Sequence, residues 1–217
     1  MMIYLLSDLH GDINFKGLKE YINTATDDDL LIVLGDIGLK FENTEQNRVF
    51  DKEFLKINKN IAFIDGNHEN FDYLSSFPEI EWNGGIAGKL SDNIFYLKRG
   101  NIYTIKEKTF FAFGGCKSSS SWKQRGLWYP GEEPTEAQLK LAYENLEKHN
   151  HKVDYVLTHR YNKEIEDING DFEQMNQLTQ FVDANVSYKK WYCGHWHQNK
   201  TIDDKHVCVY DKLAIIE

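Results

Sequence analysis

Eight polar residues of this chain have the types and spacing of metal-centre chemistry: Asp8, His10, Asp36, Asn67, His68, His159, His195 and His197. Asp8 and His10 flank Leu9 directly after the apolar run Met2–Leu6. In an extended backbone, residues i and i+2 point to the same side. A carboxylate and an imidazole would therefore converge there on one divalent ion. The event repeats along the chain. Asp36 follows Leu30–Leu34, Asn67 and His68 follow Ile61–Ile64, His159 follows Val153–Leu157, and His195 and His197 follow Trp191–Cys193. Open α/β sheets gather their sites at the carboxyl ends of strands, which is where these residues stand. Each also has a plainer use: Asp36 and Asn67 suit turns, His159 a hydrogen-bonded core position, and His68 a turn capped by Glu69. Such coincidences at five strand ends leave the plainer uses a poor joint explanation.

Carboxylate, amide oxygen and imidazole without thiolate suit a borderline ion, Mn²⁺ first and Fe or Zn²⁺ as alternatives, better than Ca²⁺. The ligands are too many for one tetrahedral ion, so two divalent transition-metal ions are expected. Ions about 3.5–4 Å apart call for a bridging carboxylate, and Asp36, alone at its strand end, is the candidate. Cys193 ends a strand and is expected to pack rather than ligate. His68 follows Asn67 immediately, so it can overlook the site without ligating, as a general acid must.

The elements that position these residues follow from hydrophobic periodicity. Helical spacing over Phe15–Ile22 and about 45–58 lies between the first three strands, an alternation that predicts a layered α/β domain. From Trp82 to Phe113 the pattern changes to short strands, Ile94–Leu97, Ile102–Ile105 and Thr109–Phe113, which suggests antiparallel pairing and a second sheet beginning there. Residues 114–134 carry four consecutive serines and then Trp122, Lys123, Arg125, Trp128 and Tyr129. A stretch of about twenty irregular residues in a compact domain is usually functional or disordered, and an active-site lid or substrate-recognition loop is expected, with a partly ordered surface excursion as the plainer alternative. Thr135 suits a helix N-cap, with the helix running to about His149. A polar helix over Phe172–Asn185 and closing strands Val207–Tyr210 and Leu213–Ile216 complete the chain. No repeat or linker divides it, so residues 1–217 are expected to form one domain with the lid as an insertion.

Net charge is −9, from 34 acidic and 25 basic residues, which argues against a sequence-independent grip on extended nucleic acid. A small phosphorylated substrate remains compatible, because bound metals invert the local field. Cys116, Cys193 and Cys208 are an odd set without a C-x-x-C pair, as expected in a reducing compartment. The apolar start MMIYLL is too short for a signal peptide or a membrane span, so the cytoplasm is the expected location and no membrane partner is expected. Oligomeric state leaves no mark in the sequence.

Asp8-x-His10, Gly35-Asp36, Gly66-Asn67-His68-Glu69, His159 and Gly194-His195-x-His197, in this order, resemble the signature of the calcineurin-like metallophosphoesterases. The resemblance implies a four-layer αββα sandwich of two mixed β-sheets flanked by helices. It implies that Asp8, His10, Asp36 and His197 hold one metal, that Asp36, Asn67, His159 and His195 hold the other, and that His68 protonates the leaving group. The implied activity is hydrolysis of a small phosphomonoester or phosphodiester, plausibly of nucleotide type, by metal-activated hydroxide. A nuclease of the same superfamily is the alternative, weakened by charge and by the lack of room for a capping domain. A non-catalytic binding scaffold is another, although such scaffolds lose ligands and none is lost here.

Departures bear on the substrate. The protein phosphatases of that superfamily continue the second motif with an orienting acid and a phosphate-gripping arginine, whereas this chain has Leu39 and Lys40. Asp65 stands where they carry an arginine, and Arg160 follows His159. A protein phosphatase is therefore disfavoured. Arg160, Lys117, Arg125, Trp122 and Trp128 are the candidates to supply the missing anion and base contacts.

Overall fold

The computed structural model describes residues 1–118, 120–161 and 173–216. A βαβαβ unit comes first: β1 (Ile3–Leu6), α1 (Lys16–Thr24), β2 (Leu30–Leu34), α2 (Glu45–Phe54) and β3 (Asn60–Ile64). The short helix α3 (Phe71–Ser75) leads to strands β4 (Glu79–Trp82), β5 (Gly85–Lys89), β6 (Ile94–Leu97), β7 (Asn101–Ile105) and β8 (Lys108–Phe113). Then come the short helix α4 (Ser120–Gln124), α5 (Glu136–Lys148), β9 (Tyr155–Thr158), α6 (Glu173–Asn185) and β10 (Lys190–Cys193). Short strands β11 (Lys200–Thr201), β12 (His206–Cys208) and β13 (Ala214–Ile216) close the chain.

Two mixed sheets result. Among the described residues one has seven strands in the order β13-β1-β2-β3-β6-β5-β4 and the other six in the order β11-β12-β10-β9-β8-β7. The period of two along each strand builds the layers. Ile3, Leu5, Ile32, Leu34, Ala62 and Ile64 point to a core shared with Phe110, Ala112, Tyr155 and Leu157 of the second sheet. Their neighbours Tyr4, Leu6, Leu31, Val33 and Phe63 face outward onto Leu18 and Tyr21 of α1 and Phe50 and Phe54 of α2. On the far side Phe111, Val156 and Trp191 meet Ala142 and Leu146 of α5 and Leu178 and Val182 of α6. This is the expected four-layer αββα sandwich. Each fully buried Leu or Phe contributes roughly 1.5–3 kcal/mol, so strands buried on both faces commit the chain to this layering.

Parallel pairing aligns the strand ends that matter. In the first sheet β1, β2, β3 and β6 run parallel, and in the second β8, β9, β10 and β12 do. Strand β13 pairs antiparallel with β1, Ile3 opposite Ile216, which returns the last part of the chain to its beginning. Thr135 caps α5 as its type suggests. Its Oγ1 accepts from Gln138 N at 3.2 Å and its own N–H donates to Gln138 Oε1 at 2.9 Å, a capping box worth about 1 kcal/mol.

Several expectations change. The sheet switch falls between β6 and β7, not near Trp82, because β6 pairs parallel with β3 while β7 pairs with β8. Helix α3 is only five residues long, and strands β4 and β5 are at least half charged or glycine, so none of the three stands out in the sequence. The strand expected at Val207–Tyr210 is His206–Cys208. Residues 114–134 are not wholly irregular, since they contain α4 and a 3-10 turn, Pro130–Glu132. The expected start of the polar helix at Phe172 lies outside the described residues.

Candidate metal centre

Asp8 and His10 lie beyond the end of β1, Asp36 beyond β2, Asn67 and His68 beyond β3, His159 beyond β9, and His195 and His197 beyond β10. Three triads gather there with their ligand atoms within 4.8 Å of one another: Asp8, His10 and His197; His10, Asp36 and His68; and Asp36, His159 and His195. The Nε2 atoms of His10 and His197 are 2.9 Å apart, although the residues are 187 positions apart in sequence. Asp8 Oδ1 is 3.9 Å from His10 Nε2 and 3.4 Å from His197 Nε2. Asp36 faces both ways. Its Oδ2 is 3.6 Å from His10 Nε2 and its Oδ1 is 3.4 Å from His159 Nε2.

Two buried oxygens, Asp8 Oδ1 and Asn67 Oδ1, have no hydrogen-bond partner. Leaving such groups unmet costs about 1–3 kcal/mol each, more for a charge. Coordination to divalent metal would satisfy each of these oxygens, so the donor set fits the metal that its chemistry implies. Asn67 donates through Nδ2 to Ser118 Oγ at 3.1 Å, which leaves its oxygen for that role. His159 Nδ1 donates to the Leu34 carbonyl at 2.7 Å and so commits Nε2 to the cluster. Carbonyl-oriented imidazoles of this kind are the usual support of metal ligands.

The extended backbone expected at Asp8-Leu9-His10 is not found. Strand β1 ends at Leu6, and Asp8 and His10 both lie in the left-handed region, at φ 60° and 46°. Asp36, His195 and His197 do too, at φ 54°, 71° and 50°. The side chains still converge, through tight turns rather than through the pleat of a strand. Left-handed non-glycine residues cost on the order of 1 kcal/mol each and persist where surrounding structure over-determines them. Here Asp8 N donates to Gly35 O at 3.0 Å, His10 N to Asp36 O at 2.9 Å and His195 N to Asp8 Oδ2 at 3.0 Å. Asn67, a turn former by type, does not adopt positive φ.

Glu69 is an additional support. Fully buried, it accepts from Ile37 N at 2.9 Å and Gly66 N at 3.3 Å through Oε1, and from Gly38 N at 3.2 Å through Oε2. It thereby staples the turn carrying Asp36 to the turn carrying Asn67. Burial, then the Asp36 charge, raise its carboxyl to about 8. Gly66 is required at the same place, because a Cβ there would overlap the Asp36 carboxylate.

Electrostatics divide the histidines. Burial alone would raise Asp36, yet the charge of His159 and its hydrogen bond, followed by the charges of His10 and His68, hold it well below the usual carboxylate range. Burial alone would lower His159, but Asp36 lifts it to about 10. Burial pushes His195 down to about 3, helped by the His159 charge. His68 falls to about 4, chiefly by burial, against the pull of Asp36.

The expected substrate contacts do not gather equally. Trp122 packs against His68, ring centroids 4.4 Å apart at 81°. Trp128 instead donates to Glu132, within its own segment. The Arg125 guanidinium stacks on Trp122 at 4.5 Å and the Lys123 ammonium on Trp128 at 4.2 Å, which holds both cations against rings. Arg160 is buried, 5.4 Å over the Trp196 ring, with Nη1 3.8 Å from Cys116 Sγ. Lys117 stands between Cys116 and Ser118, the residues of this segment that reach His195 and Asn67.

Four contributors escaped the sequence. Cys116 Sγ lies 3.7 Å from His195 Nε2, and burial pushes its thiol up to about 12. Ser118 orients Asn67. Arg99 donates through Nε to Asp65 Oδ2 at 2.8 Å and through Nη2 to Gly131 O at 2.9 Å, tying the turn after β3 to residues 114–134. Tyr96 OH donates to Asp65 Oδ1 at 2.8 Å and completes that anchor. Only a hydrophobic strand ending in Lys98-Arg99-Gly100 hinted at it, and nothing in that pattern names a partner. Cys193 is buried and packs in the outer core, as expected.

Among the described residues no helix is long and apolar enough to cross a membrane. No curated protein matches the chain in sequence. Among solved structures, the crystal structure of TT1561 of Thermus thermophilus is similar with a TM-score of 0.51 at 11% identity, over 99% of this chain and 97% of that one. That likeness concerns the fold. The sequence profile described as calcineurin-like phosphoesterase matches residues 1–199, which include every candidate ligand. The ordered motifs, the two-sheet sandwich and this match agree, and the chain belongs to the calcineurin-like phosphoesterase family.

Proposed function

We propose that this chain is a two-metal phosphoesterase that hydrolyses a small phosphomonoester or phosphodiester. The family is one of metal-dependent phosphoester hydrolases, and the finer assignment rests on one observation. The two carboxylate oxygens of Asp36 face different histidine clusters, Oδ2 toward His10 and Oδ1 toward His159. Asp8, His10 and His197 would complete one ion's ligands with Asp36, and Asn67, His159 and His195 the other's. Two divalent ions so placed, Mn²⁺ first among the candidates, supply a water with pKa lowered toward about 7 and offset the charge of the phosphoryl oxygens.

The chain's own residues do the rest. His68 stands beside Asp36 and His10 without being needed as a ligand. Burial brings it down to about 4, so it would take up a proton for the leaving-group oxygen only with the negative charge of a bound phosphoryl group beside it. Rings on two sides restrict its orientation, which replaces the acid lost at Leu39. Residues 114–134 act as a lid within a single domain, resting on the centre through Ser118 and Trp122 and excluding water around His68. The three cysteines are free, which fits a cytoplasmic setting.

The test is Asp36→Asn, which keeps shape and removes charge. Turnover of p-nitrophenyl phosphate and bis-p-nitrophenyl phosphate with Mn²⁺ is expected to fall on the order of 10³-fold or more. Bound metal, measured by elemental analysis, is expected to fall with it. Undiminished turnover in the variant would refute the assignment, and a wild-type protein that retains no transition metal would mark a binding scaffold instead.

A further inference from the structure

Phe41 is buried but belongs to none of the three apolar clusters that hold the four layers together among the described residues. Its cover comes from the site. Its ring centroid lies 4.9 Å from that of His68 and 6.0 Å from that of Tyr129, tilted by 43° and 48°. From residues 114–134 the half-exposed Tyr129 reaches Phe41 and the half-exposed Trp122 reaches His68. His68 is thus enclosed by Phe41, by Trp122 and by His10, which meets it at 4.9 Å and 90°. Three separate segments, the turn after β2, α4 and the stretch before the 3-10 turn, contribute one ring each.

A phosphoester lying on the metal centre must send its leaving group past His68, the proton donor, and therefore along these rings. Flat apolar faces favour a planar partner and give a polyhydroxylated or aliphatic chain no hydrogen bonds. Arg125 already covers one face of Trp122, so the half-exposed ring of Tyr129, backed by the buried Phe41, is the surface that remains for stacking. We propose that Phe41 and Tyr129, with Trp122 as a roof, form a leaving-group subsite that selects phosphoesters carrying a planar aromatic ring, either a nucleobase or an aryl group. The proposal rests on the phosphoesterase reading and adds its substrate class.

Calorimetric titration of the manganese-loaded protein with two matched pairs tests it. Adenosine 5′-monophosphate and ribose 5-phosphate share one phosphoester and differ by the base; phenyl and cyclohexyl phosphate differ by aromaticity. One stacked ring is expected to give about 5- to 100-fold tighter binding. Preference in the first pair alone identifies a nucleobase, and in the second an aryl group attached directly to phosphate. Phe41→Leu and Tyr129→Ser are each expected to bring the ratio toward one; Tyr129 is less buried, so its variant stands if Phe41→Leu unfolds. Val49→Ala, on the exposed face of α2, is expected to keep the ratio. Equal binding within both pairs, absence of binding, or a ratio that survives both ring variants overturns the subsite. Turnover of the p-nitrophenyl esters separates the two levels. Turnover without ring preference removes the subsite alone, whereas ring preference without turnover removes the hydrolase reading.

Discussion

The two halves of the centre share Asp36 and differ in almost everything else. On one side His159 is fully buried and locked by the Leu34 carbonyl, and the buried Asn67 is oriented by Ser118. On the other, the side chains of His10 and His197 are 31% and 47% exposed, and His197 lies flat on Tyr210 at 5.0 Å and 4°. The first half is built before any ion arrives, whereas the second is closed by side chains in contact with water. Preorganised, desolvated donors bind more tightly because little remains to be ordered and the local dielectric is low. On the proposed two-metal reading, the buried half would hold its ion and the open half would exchange it.

The largest effect that would sharpen this contrast is expected from His159→Ala. It should remove one equivalent of metal and lower kcat/KM on the order of 10³-fold, with no recovery in excess Mn²⁺. It should also destabilise the metal-free protein by about 1–3 kcal/mol, since the Leu34 carbonyl and Asp36 lose a buried partner. Denaturant titration of the apo protein reads that term. His197→Ala should act more mildly: stability of the apo protein nearly unchanged, and activity recovered in part as free Mn²⁺ is raised, because a weakened site fills by mass action. Should the two variants respond alike to added metal, the division into a held and an exchanging ion fails. The smallest change is expected from Ser118→Ala, which removes the Asn67 donor's partner and should weaken metal retention roughly tenfold. Retention equal to wild type in a chelator competition would show that Ser118 does not orient Asn67.

Much of the fold was legible because its strands are buried on both faces. Leu30–Leu34 reads as a strand from its own residues, and the structure places it so. Strands β4 and β5 were not legible, since Glu79-Ile80-Glu81-Trp82 and Gly85-Ile86-Ala87-Gly88 owe their conformation to pairing with each other and with β6. The candidate ligands announced themselves by type and place. Their supports did not. Cys116, Ser118 and Arg99 are ordinary residues in sequence, and their roles arise from partners between 32 and 79 positions away.

The left-handed turns are the clearest case of this division. From sequence, Asp8 and His10 converge because strands alternate; in the fold they converge because interlocking turns hold both at positive φ. The chemistry of the donor set, its order along the chain and the layered α/β class follow from local residue types and periodicity, which need no partner to be read. That His10 and His197 meet, that Asp36 faces two clusters, and that Phe41 and Trp122 enclose His68 were decided by tertiary structure. Those contacts depend on strand order and on the return of β13 to β1, and periodicity along one strand carries no information about which strand lies beside it.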